Sequence, residues 1–242
     1  MSTGQAIRIE NLCHSYDGGT VTLRDVSLSI GEGEKVALIG PNGAGKSTLL
    51  LAMTLFLQPK SVEGQILIHG VEACRKNEKD VRKLITPVLQ NPDEQLFMPT
   101  VLEDVAFGPL NMGLEVDQAR QHAMEAIEQV GLSGLEERSP YHLSAGQKRA
   151  AAIATVLSME PRIITMDEPD TSLDPRSRDH LIELLGSLEQ TLVIATCNMH
   201  FAAKTCERAV LIDDGKVVVD GPTKELLRDE ELMTRHGLET VV

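Results

Sequence analysis

One stretch limits what this chain can become more than any other: Gly40-Pro41-Asn42-Gly43-Ala44-Gly45-Lys46-Ser47-Thr48, a full G-x-x-x-x-G-K-S. It lies between the apolar run Val36 to Ile39, which reads as a strand, and the segment Lys46 to Leu57, which reads as a helix. Strand, glycine loop and helix in that order make a phosphate cradle. The loop's N–H groups close around phosphates, the lysine reaches the β and γ phosphates, and the hydroxyl after it ligates Mg²⁺. Those roles fall on Lys46 and Ser47. An ordinary glycine-rich turn would need neither side chain nor the strand-to-helix context.

The rest of the chain fits an α/β fold around that loop. Alternation in Ile7 to Cys13 and Leu23 to Ile30 predicts two half-buried antiparallel strands, with a turn at Asp17, Gly18 and Gly19. Ile66 to His69 and Leu84 to Leu89 read as strands joined by a charged connector holding Lys76, Lys79 and Lys83. From Thr100 to Leu157 the pattern is helical: Thr100 and Glu103 have capping-box spacing, Gly108 and Pro109 are expected to end that helix, and Gln118 to Val130 follows. Strands at Ile163 to Met166 and Leu192 to Thr196 flank a helix from about Pro175 to Leu188, the grammar of a parallel sheet. Ala209 to Ile212 and Val217 to Val219 meet at Asp214 and Gly215 as a hairpin.

Two further motifs bear on chemistry. The strand Ile163-Ile164-Thr165-Met166 ends in Asp167-Glu168, which delivers two carboxylates to the ligand-binding edge of a parallel sheet. There Asp167 would hold Mg²⁺ and Glu168 would orient or deprotonate a water. Taken alone, an acidic strand end is commonplace. Leu143-Ser144-Ala145-Gly146-Gln147 opens an Ala-rich helix. Ser144 and Gln147 have capping-box spacing, and a helix start with small residues is also an anion site, so both readings stand.

Composition narrows the partners. With 242 residues, 42% hydrophobic and 24% charged, the chain suits one domain, with room for two lobes. A net charge of -13 with no segregated basic patch, and 2% aromatics, argue against nucleic acid. Four irregularly spaced cysteines suit a reduced cytosolic setting, and Cys197, His200 and Cys206 form at most a weak metal pattern. The polar N-terminus lacks a secretory signal, and no apolar run approaches the roughly 20 residues that span a bilayer. A membrane role, without direct insertion, would come through a partner.

In these motifs the sequence resembles the nucleotide-binding domain of ABC transporters over nearly its whole length. The glycine loop is similar to the family's Walker A, Asp167 and Glu168 to its Walker B and catalytic glutamate, and Leu143 to Gln147 to its LSGGQ signature. Gln90 matches the Q-loop glutamine, which senses Mg²⁺ and contacts the transmembrane subunit; Tyr16 sits where an aromatic stacks on adenine; Ser172-Leu173-Asp174 matches the D-loop. The resemblance implies a single ABC ATPase domain over 1–242: a P-loop core with a mainly parallel sheet, an N-terminal antiparallel β subdomain and an α-helical subdomain inserted at about 98–158. It also implies hydrolysis of ATP, a transmembrane partner at the cytoplasmic face of the membrane, and a second ATPase subunit, copy or paralogue, so that two nucleotides are sandwiched between one Walker A and the other signature. By that resemblance ATP would meet Tyr16, the loop from Gly40 to Thr48, Ser144, Gly146, Gln147, Asp174 and Cys197; Mg²⁺ would meet Ser47, Gln90 and Asp167; catalysis would fall to Glu168, Gln90 and Lys46.

Gln90 to Phe97 and Glu103 to Pro109 look like the ATPases of energy-coupling-factor importers, which take up cobalt or nickel ions or vitamins. The chain ends soon after its last predicted helix, short of the extension common in the shared vitamin-type ATPases, which favours the metal-ion type. Leu96 and Phe97 are expected to be exposed for docking. Two positions depart from the family pattern. Ala145 stands where Gly is usual, close to a γ-phosphate. Thr196-Cys197-Asn198 replaces T-H-D, so a weak thiol donor stands where a switch histidine would bond the γ-phosphate, and a helix is expected to carry His200 away. Two other classes remain open: a non-transport ABC protein, though it would usually carry coiled-coil insertions or a second cassette, and a regulatory subunit with slow turnover.

Overall fold

The computed structural model describes residues 4–16, 20–57 and 62–241; the expected turn at Asp17 to Gly19 lies outside them. The chain divides into two compact units, one of Met1–Thr86, Arg162–Glu168 and Glu189–Val242, the other of Pro87–Pro161 and Pro169–Leu188. Strands and helices are numbered in chain order.

The first unit holds two sheets. Strands β1 (Gln5–Ser15), β2 (Val21–Gly31), β4 (Val62–Ile68) and β5 (Val71–Glu72) form an antiparallel sheet of order β2-β1-β4-β5. Inward residues such as Ile7, Leu12, Leu23 and Ile30 are fully buried and alternate with exposed ones, as a sheet with one wet face requires. The second sheet has the order β10-β9-β3-β8-β7-β6, from β3 (Lys35–Ile39), β6 (Ile85–Val88), β7 (Ile163–Asp167), β8 (Thr191–Ala195), β9 (Arg208–Asp213) and β10 (Lys216–Pro222). Pairings β3 with β8, β3 with β9 and β7 with β8 are parallel, and β9 with β10 is the expected antiparallel hairpin. Every residue of β8 is buried, the continuous apolar run of a strand covered on both faces.

Among the described residues this unit contains the α-helices α1 (Lys46–Met53), α2 (Glu78–Leu84), α8 (Met199–Thr205), α9 (Thr223–Leu226) and α10 (Glu230–Arg235). Helix α1 stops four residues before the expected Leu57. The Thr54 hydroxyl donates back to Leu50 O at 2.9 Å, and Leu55 turns to φ 59°, which no helix can continue. The charged connector contains α2, unforeseen because only Val81 of its residues is buried and one apolar position sets no period.

The second unit holds α3 (Pro92–Gln95), α4 (Val101–Asn111), α5 (Val116–Gln129), α6 (Ala145–Leu157) and α7 (Pro175–Ser187). Both predicted capping boxes form, Thr100 with Glu103 on α4 and Ser144 with Gln147 on α6. Gly108 and Pro109, expected to end α4, lie inside it. Pro109 cannot donate to the carbonyl of Val105, and that orphan accepts instead from the Ser158 hydroxyl at 2.8 Å. Gly108 is there for space: a Cβ would stand 2.6 Å from Met159 Sδ. No helix among the described residues is long and apolar enough to cross a membrane.

Candidate functional site

Three parallel strand ends bring chemistry to one edge of the first unit. Strand β3 opens into the glycine loop, β7 ends on Asp167 before Glu168, and β8 ends on Ala195 before Thr196 and Cys197. Their register is level, Leu38 and Asp167 both pairing with Ala195. Two bonds extend the ladder past the strands: Thr196 N–H donates to Leu38 O at 3.1 Å and Glu168 N–H to Ala195 O at 2.8 Å. This is the carboxyl edge, where parallel sheets take ligands.

The loop is built to receive an anion. Lys46 is 6% exposed, and its ammonium donates to the carbonyls of Gly40 at 2.7 Å and Pro41 at 3.0 Å. Among the described residues it forms no ion pair, so a buried positive charge is balanced only by neutral carbonyls and favours an incoming anion. Gly45 is the N-cap of α1 at φ 107°, and it supplies no side-chain cap. A Cβ there would come within 2.7 Å of Thr22 O, so the position admits only glycine. Asn42, Gly43 and Ser47 are exposed, Pro41 is half-buried, and Ala44 and Thr48 are buried. The Ser47 hydroxyl and the half-buried Asp167 offer the oxygen donors that a hard cation such as Mg²⁺ prefers. Tyr16 is exposed, with its hydroxyl 3.4 Å from Thr48 Oγ1 and its ring met edge-on by His14, which braces a flat surface beside α1.

Glu168 and Cys197 meet directly. Oε2 of Glu168 accepts from the Cys197 N–H at 3.2 Å and from its thiol at 3.4 Å. Desolvation, then the charge and hydrogen bond of Glu168, push the thiol above its ordinary range against the pull of Lys46. The thiol is therefore a protonated donor at neutral pH, not a thiolate. Glu168 holds this place at φ 45°, a left-handed backbone that costs a non-glycine residue on the order of 1 kcal/mol. His200 lies exposed on α8, and no group of three His, Cys, Asp or Glu is placed to hold a metal among the described residues.

In the second unit Ser144, Gly146 and Gln147 at the start of α6 lie against Ser177 and Asp174 at the start of α7, while Gln90 meets α6 only through its backbone. The Ser144 hydroxyl accepts from Gln147 N–H at 3.3 Å while Gln147 Oε1 accepts from Ser144 N–H at 3.0 Å. Gly146 is needed for close approach, since a Cβ would meet Ser177 Oγ at 2.5 Å, whereas Ala145 is exposed. Ser177 in turn donates to Asp174 Oδ2 at 2.6 Å, and Asp174 Oδ1 caps α7 through the N–H groups of Arg176 and Ser177. The Ser177 contacts hold the Asp174 carboxyl below the usual carboxylate range. Gln90 is exposed, with its carbonyl taken by Arg149 at 2.7 Å. Phe97 is exposed and packs edge-on against Phe107, but Leu96, expected beside it at the surface, is 4% exposed. The Phe97 and Met98 N–H groups both donate to the buried Asp104 carboxylate at 3.0 Å, which fixes the turn with Leu96 inward.

The model of the family described as ABC transporter matches residues 23–171. The chain belongs to that family. A putative ABC transporter ATP-binding protein of Gloeobacter violaceus is 46% identical over 96% of this chain and 95% of its own length. The energy-coupling factor transporter ATP-binding protein EcfA of Methanothermobacter thermautotrophicus is 41% identical over 96% of this chain and 76% of its own. Among solved structures, cbiO1 from Clostridium perfringens, part of the ABC transporter complex cbiONQ, matches with TM-score 0.85 and 34% identity, covering 96% of this chain and 94% of that one. A dimeric ATP-binding cassette in a post-hydrolysis state with ADP and Pi matches with TM-score 0.79 and 28% identity over 90% of this chain and 98% of its own. This ABC ATPase is thus an ATP-binding, ATP-hydrolysing transporter subunit of mixed α/β fold.

Three residues around these segments were not among the expected site residues. Ser177 sits between Gly146 and Asp174, and Arg149 and Gln95 hold the Gln90 segment; Gln95 lies in the stretch Gln90 to Phe97 that the resemblance picked out, without a role of its own, and Ser177 and Arg149 belong to no motif. Only the chemistry of Gln95 and Arg149, polar residues that turn out half-buried and buried, hinted at a structural task.

Proposed function

We propose that this ABC ATPase powers an importer of the energy-coupling-factor type for cobalt or nickel ions. The observation behind the reading is the match to cbiO1 of the complex cbiONQ, which leaves little of either chain uncovered. The EcfA relatives support the transporter type, and a vitamin importer is the alternative within it. The whole chain acts as one ATPase domain with its helical insertion at about 98–158, peripheral at the cytoplasmic membrane face.

In this reading Lys46 and the Gly40 to Thr48 loop offset phosphate charge, and Tyr16 lies against the adenine. Ser47 and Asp167 would hold Mg²⁺, which would neutralise phosphate charge, and Gln90 is the Mg²⁺-sensing glutamine that the family resemblance implies. Glu168 accepts a proton from the attacking water. Ser144, Gly146, Gln147 and Asp174 face the nucleotide of a second subunit, copy or paralogue, and the segment from Gln90 to Phe97 receives a helix of the membrane partner, with exposed Phe97 as its apolar contact. Cys197 gives a short neutral donor already engaged by Glu168, so turnover at this chain's own loop is slow.

Uptake of cobalt and nickel is measured in cells making the assembly with the natural chain or with Glu168→Gln. Metal uptake that the substitution abolishes supports the reading; vitamin uptake with no metal uptake selects the alternative. The same variant with MgATP should elute as a dimer in size-exclusion, and monomer alone would remove the two-nucleotide arrangement.

A further inference from the structure

The segment after β6 is a short surface stretch, yet three side chains tie it to one helix. Arg149 Nη1 donates to Leu89 O at 2.8 Å and Nη2 to Gln90 O at 2.7 Å. Gln95 accepts the Leu89 N–H at 2.9 Å and donates to Ala152 O at 2.8 Å and Thr155 Oγ1 at 2.7 Å. Lys148 pairs with Asp93 at 2.5 Å. All the partners on the far side lie on α6, the helix that opens with Ser144 to Gln147.

These contacts differ in strength. Arg149 is 4% exposed, and bonds from a buried guanidinium to two successive carbonyls are charge-assisted. Burial pulls its pKa down and the buried Asp170 opposes that, which leaves it charged. Losing one side of such a contact strands a buried charge or two carbonyls. The Lys148–Asp93 pair is more exposed and adds less stability, but it fixes the tip of the stretch.

We propose that Arg149, Gln95 and Lys148 form a bracket that makes residues 89–95 and the start of α6 move as one body. They are positioning residues. A push on the docking segment is delivered to Ser144 to Gln147, and by reciprocity a nucleotide-driven change at Ser144 to Gln147 is delivered to the docking segment. This rests on the proposed roles of those two segments.

Hydrogen exchange of the full chain carrying Glu168→Gln, with and without MgATP, tests it. MgATP is expected to slow exchange at the amides of both 145–149 and 89–95. Asp93→Lys or Lys148→Asp should leave the first response and lower the second measurably but in part, because the bonds of Arg149 and Gln95 remain. Combining the two should restore it, because the pair is rebuilt with its charges exchanged. Gln95→Leu should uncouple the segment without rescue. Undiminished response at 89–95 in the single variants, or no restoration by the exchange, overturns the bracket. Absence of any MgATP response at 145–149 in the parent would instead overturn the two-subunit reading on which the bracket depends.

Discussion

Helices α1 and α6 both begin with small residues and a hydroxyl, and both read as anion sites in the sequence, but they are finished differently. At α1 the N-cap is Gly45, which brings no side chain, and a buried Lys46 with no ion pair among the described residues follows it. The first-turn N–H groups and one positive charge are left for a ligand. At α6 the capping box is closed, with the Ser144 hydroxyl and the Gln147 amide satisfying each other's backbone. One helix start is a site in waiting; the other is first of all a stable helix end, and it becomes a site only with something brought to it. A motif that reads as phosphate-binding thus needs its unsatisfied donors counted before it is called a site.

The contrast can be broken at either end. Lys46→Ala should have the largest effect, a loss of at least about 10²-fold in MgATP affinity, since charge-assisted contacts to phosphate disappear together. Unchanged affinity in a nucleotide titration would remove α1 from the site. Next, Cys197→His should raise turnover by about 10²-fold at saturating MgATP with little change in affinity, because one positioned donor to the transferring phosphoryl group is restored. Equal rates would mean that another group already fills the role. Replacing Phe97 by Asp should release the subunit from its membrane partner while nucleotide affinity holds, as seen by co-purification; retention would count against docking there. The smallest effect belongs to α6: Ser144→Ala should cost about 1 kcal/mol of stability in denaturant melts. If that is its only consequence, α6 is a capped helix and nothing more; a matching fall in MgATP-driven dimerisation would show that the same hydroxyl also meets the second subunit's nucleotide.

What could be read from residues alone was whatever is encoded by near neighbours. The glycine loop, the two capping boxes, the apolar strands β7 and β8 and the hairpin at Asp214 and Gly215 all depend on spacings of a few residues, and each stands where it was expected. Resemblance then supplied the family, because several such motifs occur in one order.

Tertiary structure decided the rest, since each case turns on a partner distant in sequence. Pro109 stays inside α4 because Ser158 takes the carbonyl it orphans. Leu96 is buried because Asp104 captures the two amides that follow it. Cys197 bonds Glu168 across 29 positions, and Arg149 reaches Leu89 across 60. A sequence pattern records the local preference of a residue, whereas whether a breaker is tolerated, an apolar side chain is exposed or a donor is already engaged depends on groups that only folding brings within bonding distance.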